Sequence, residues 1–108
     1  MQIQINTDDH VHGGEALAET VTSMLQKSLA RFSGQVTRVE VHLRDENGGK
    51  HGAQDKRCML EARIEGLKPM AVTEHAASMK QAVTGATDKL VHLLDHTLGR
   101  LHEHRRNM

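Results

Sequence analysis

Two histidines at helical spacing are the first residues here whose types and positions could do chemistry. His92 and His96 stand four apart in His92-Leu93-Leu94-Asp95-His96, so on a helix both imidazoles share a face and could chelate a metal. The glutamate of a His-Glu-x-x-His zinc motif is absent, and spacing fixes no third ligand. His10-Val11-His12 beside Asp8 and Asp9, and His102-Glu103-His104, are two further clusters of the same loose kind. All three read as adventitious, and the expectation is a protein without a metal site or cofactor. Catalytic groupings fare no better. Cys58 has no histidine at fixed spacing and falls on the inward side of an alternating segment. Ser78 is better placed to cap a helix, and Gly48-Gly49 lacks the strand, helix and Lys-Ser of a phosphate loop. The residues therefore predict a non-enzyme with no small-molecule substrate.

Phosphate binding is the chemistry that remains. Lys89, His92, His96 and Arg100 lie within roughly 80° of one another at about 100° per helical residue, turned away from a leucine stripe. Lys27 and Arg31 border the apolar stripe of an earlier helix. With the two helices side by side, these six residues would line one shallow groove of positive potential, suited to an RNA backbone. The competing reading of the same residues is two ordinary solvated helix faces.

The elements that must hold these rows can be read from hydropathy. Val36 to Arg44 and Arg57 to Glu65 alternate strictly, with Val39, Val41, Leu43, Cys58, Leu60, Ala62 and Ile64 on one side, which is the pattern of a hairpin with one buried face. Its other face interleaves Arg38, Arg44, Arg57 and Arg63 with Glu40, Glu61 and Glu65, a pattern that cross-strand ion pairs would satisfy. Between the arms runs a polar, glycine-rich loop expected to be mobile. Gln2 to Asn6 is a short alternating strand. Leu17, Val21, Leu25 and Phe32 mark one amphipathic helix from Glu15 to Phe32. Pro69 to Thr73 is a fourth strand. Ser78, with Gln81 three residues on, opens a last helix striped by Val83, Leu90, Leu94 and Leu101. Gly85 inside that helix reads as a close approach to the first one, and the chain from His102 onward is expected to fray.

The fold class that follows is α+β: a four-stranded mixed sheet, order β-α-β-β-β-α, with both helices packed on its single apolar face, as in double-stranded-RNA-binding domains. Residues 1–104 make one domain and 105–108 a short tail, since 108 residues suffice for one modest core. Fourteen basic and fourteen acidic side chains cancel, so any polyanion site must come from charge segregation. Nine histidines make that balance depend on pH. One phenylalanine and no tryptophan or tyrosine argue against a base-stacking platform. A single cysteine suits a buried residue in a reducing compartment. No segment reads as a signal peptide or membrane span, so the expectation is a cytoplasmic protein with no membrane partner.

The opening Met1-Gln2-Ile3-Gln4-Ile5, the helix from Glu15-Ala16-Leu17 to Lys27, the polar-faced hairpin, and Ala82-Val83 followed by Asp88-Lys89-Leu90 together resemble the bacterial ribosome hibernation promoting factor and ribosome-associated inhibitor family in its short form. The resemblance runs from Met1 to about His104. It implies binding to the small ribosomal subunit and its rRNA in the decoding channel, with translation silenced in stationary phase or stress. It implies contacts through basic residues on the two helices, where Lys27 and Lys89 match family positions and His92, His96 and Arg100 fall where Lys or Arg is usual. The short form lacks the second domain that pairs ribosomes in long members. The alternative is a stress-regulatory protein-interaction module that keeps the fold without the ribosome.

Overall fold

Alternation and helical periodicity are realised as seven elements in the computed structural model, which describes the backbone of residues 1–8, 11, 13–46 and 55–106 and the side chains up to residue 99. They are strand β1 (Gln2–Thr7), helix α1 (Gly14–Ser28), a 3-10 turn (Ala30–Phe32), strands β2 (Val36–Asp45), β3 (Lys56–Ile64) and β4 (Met70–Ala76), and helix α2 (Met79–Arg106). The sheet order is β1-β2-β3-β4. β1 runs parallel to β2, as a strand-helix-strand crossover requires, and the two pairs that follow are antiparallel. The α+β architecture read from the sequence is the one observed. The loop at 47–54 and the clusters at His10-His12 and His102-His104 lie outside the described side chains.

One face of the sheet is apolar, and both helices cover it. Leu25 and Leu29 from the first helical segment and Leu90 and Leu94 from α2 meet Val39, Val41, Leu43 and Leu60 in a single core. Strict alternation would put Val36 on the polar side with Arg38, yet Val36 is buried. A register shift between Val36 and Arg38 inserts Thr37 as an extra residue, and such a bulge returns the preceding side chain to the opposite face.

The expected single helix to Phe32 is divided. Leu29 leaves helical geometry (φ −105°, ψ 9°), and the N–H of Phe32 donates to the Leu29 carbonyl at 2.9 Å. That tighter i to i+3 turn brings both Leu29 and Phe32 into the core. α1 starts after Gly13 at φ 115°, where a Cβ would also lie 2.8 Å from that of Leu17, so only glycine fits. The α2 cap forms as read, with the Gln81 N–H donating to Ser78 Oγ at 3.1 Å. The fourth strand runs three residues beyond Thr73, and α2 continues through Arg106 where fraying is expected from His102. Among the described residues no helix is long and apolar enough to cross a membrane.

Cys58 is fully buried in this core. Burial pushes its thiol up to about 12, opposed weakly by the charge of Arg57, so almost no thiolate exists at neutral pH. Native protein at pH 8 should therefore leave a disulfide reagent unconsumed over hours and release one equivalent of thiol on unfolding in guanidinium. Rapid native reaction would contradict this placement.

Candidate nucleic-acid interface

Among the candidate contact residues, Arg31 and Lys89 face different neighbours. Arg31, on the 3-10 turn, donates to Asp95 Oδ2 at 2.6 Å and lies 4.6 Å over the Phe32 ring. This ion pair bridges the two helices, so an acidic residue of α2 occupies the seam. Asp88, two turns before Asp95, is on the same side of the helix. Lys27, one turn before Arg31, is exposed. At this seam the basic Arg31 of the 3-10 turn meets the acidic Asp95 of α2.

Lys89 is about 120° around α2 from Asp95 at 100° per residue. Its ammonium donates to the Thr73 carbonyl at 2.9 Å and sits 3.5 Å from Glu74 Oε2, both on β4. His92 and His96 are exposed, and Arg100 follows one turn later with its side chain outside the described ones. The expected inter-helix groove is therefore not lined by Arg31 and Lys89 together, since Arg31 is bound to Asp95 and Lys89 to β4. α2 follows β4 and lies over β3 and β4, so its basic flank faces the β4 margin and its acidic flank faces α1.

Gly85 has the same explanation. It is a close approach, as expected, but to β4 instead of α1: a Cβ there would fall 2.6 Å from Glu74 Oε2 and 2.7 Å from Glu74 Cγ. Glu74 aligns with Cys58 across the β3–β4 ladder and so points to the covered side of the sheet. The missing side chain at position 85 leaves room for that carboxylate, which then reaches Lys89.

The open face of the sheet also differs from the expected pattern. Residues directly opposite each other carry like charge: Arg38 faces Arg63, Glu40 faces Glu61, and Arg44 faces Arg57. Such pairs repel. Compensation runs along each strand, with Arg38 bound to Glu40 at 3.1 Å and Arg63 to Glu61 at 3.8 Å; Arg38 also donates to Gln4 Oε1. At the far end Glu46 serves both Arg57 (3.7 Å) and His75 (3.2 Å). Arg38, Arg57 and Arg63 are thus tied to carboxylates, while Arg44 is exposed. Among the described residues no three His, Cys, Asp or Glu side chains converge to hold a metal.

One polar cluster went unread in the sequence. Lys56 Nζ lies 3.2 Å from Asp45 Oδ2 and 3.1 Å from Asp55 Oδ2, and both aspartates are buried. The signal is parity: Asp45 continues the inward series Val39, Val41, Leu43, and Lys56 continues Cys58, Leu60 on the facing strand.

Comparison with known proteins bears on the family and the fold. The family model described as sigma 54 modulation protein / S30EA ribosomal protein matches residues 3–102. The structure is similar to the N-terminal domain of Protein Y from Thermus thermophilus, with a TM-score of 0.70 at 18% identity, covering 90% of this chain and 99% of that one. It is similar also to a ribosomal subunit interface protein from Coxiella burnetii, with a TM-score of 0.67 at 18% identity, covering 92% and 99%. At that identity the likeness speaks for the fold. No curated protein sequence matches the chain.

Proposed function

We propose, from the premise that this chain belongs to the sigma 54 modulation protein / S30EA ribosomal protein family, that it is a non-enzymatic factor that associates with the ribosome. The observation that carries the reading is the family match over residues 3–102, which takes in the sheet and both helices. In its finer form the proposal seats the protein on small-subunit rRNA in the decoding channel, where it blocks translation in stationary phase or stress. Two separate basic edges supply the contacts: Lys27 and Arg31 beside α1, and Lys89, His92, His96 and Arg100 along the outer flank of α2.

This arrangement has an energetic consequence. Arg31 and Lys89 each have an internal carboxylate partner, so phosphate must compete with Asp95 and Glu74. Affinity should accordingly be modest and fall steeply with salt.

Sedimentation of cell extract through sucrose at about 50 and 200 mM salt tests the reading. The protein should travel with small subunits or whole ribosomes at the lower salt and be partly released at the higher. Recovery only at the top of both gradients would end it. A Lys89→Gln, Arg100→Glu variant should lose the bound fraction with little change in melting temperature. Cancellation of charge at the helix seam favours a second reading, a protein-interaction module in stress regulation. Migration with one discrete protein and no rRNA would select it.

A further inference from the structure

The two edges of the sheet are guarded unequally. On the β4 edge Lys89 occupies the Thr73 carbonyl, α2 lies over the strand, and Pro69 immediately precedes it. These are the usual devices that stop a sheet from adding strands. β1 is the opposite edge, and its six residues Gln2-Ile3-Gln4-Ile5-Asn6-Thr7 include no charge and no proline. Its register with β2 is unbroken, so no bulge turns it away. Among the described residues no main chain pairs with its outer side. Ile3 and Ile5 pack against the core but remain only partly buried.

We infer that β1 is the contact strand of a homodimer, in which two copies pair antiparallel through this edge to make one continuous eight-stranded sheet. The occupant is identified by the strand's own pattern. A two-fold axis normal to the sheet through Gln4 sets Gln4 against the partner's Gln4, Gln2 against the partner's Asn6, and Ile3 against the partner's Ile5. Amide then meets amide on the open face, isoleucine meets isoleucine on the covered face, and no like charges oppose each other. The two isoleucine pairs would cover the apolar area that a single copy leaves wet. A contact of six residues per strand is small by the standard of permanent dimers, so the association is weak and concentration-dependent. This inference does not depend on ribosome binding.

Sedimentation equilibrium of the full chain from roughly 10 μM to 1 mM tests it, together with Gln4→Lys and Gln4→Glu. The parent should shift from monomer toward dimer across that range. Each variant places two like charges at the axis and should weaken association roughly fivefold or more. Within one copy the variants act on Arg38 and Glu40 in opposite senses, so a shared loss of dimer is not a folding effect. A mixture of the two should regain the dimer, because lysine then faces glutamate. A parent that stays monomeric at every concentration, variants that still dimerise, or a mixture that fails to recover would each overturn the assignment.

Discussion

Lys56→Met is expected to lower the melting temperature at pH 7 by on the order of 10 °C, a deficit that narrows toward pH 11. Lys56 holds Asp45 and Asp55 at 3.2 and 3.1 Å, and both carboxylates are buried where the hairpin ends. The lysine's own pKa is raised, chiefly by its hydrogen bond with Asp55, against the opposing effect of desolvation and with further help from Asp45. A raised folded value means that its contribution is complete below the unfolded pKa of about 10.5 and is lost as pH climbs through the folded one. The parent should therefore weaken on the alkaline side.

In the methionine variant that alkaline dependence disappears, because the two buried carboxylates lack this ammonium at every pH. Thermal unfolding followed by circular dichroism at pH 7 and 11 checks it: the deficit against the parent should shrink at pH 11. An equal deficit at both values would mean that Lys56 contributes packing and not charge.

Gly85→Ala is expected to be destabilising by roughly 1–3 kcal/mol, although alanine in an ordinary helix interior gains about 1 kcal/mol over glycine. The added Cβ would fall 2.7 Å from Glu74 Cγ as well as 2.6 Å from its carboxylate. The carboxylate can swing aside, but moving Cγ requires the whole side chain to change rotamer and leave Lys89. In a Glu74→Ala background the obstruction is gone, and the same Gly85→Ala change should be stabilising by up to about 1 kcal/mol. Urea denaturation of the four proteins in this cycle measures the reversal of sign. Additive effects would show that helix propensity alone governs the site.

What the amino-acid sequence by itself determined was the set of elements and their covered faces. Period-two hydropathy in Val39, Val41, Leu43 and Cys58, Leu60, Ala62 admits one buried side per strand, and leucines at helical spacing admit one buried stripe in α2. Handedness of the β1-α1-β2 crossover then left few arrangements. Such signals are local and cooperative, because a shift by one residue would turn a whole face outward. Thr37 lay beyond their reach: a bulge is a property of two paired strands, and neither sequence alone shows it.

The candidate site was legible only as residue types. Lys89 and Asp95 lie on opposite flanks of the same helix, and hydropathy does not say which flank meets α1. Only tertiary structure decided that Asp95 meets Arg31, that Lys89 meets Glu74, and that Gly85 gives way to β4. It likewise decided that the arginines of the open sheet face oppose each other, with Arg38 and Arg63 compensated along their own strands. Charges at a surface are placed by the lateral position of neighbouring elements, which depends on core packing summed over the whole chain. That lateral position set Arg31 against Asp95 and Lys89 against Glu74.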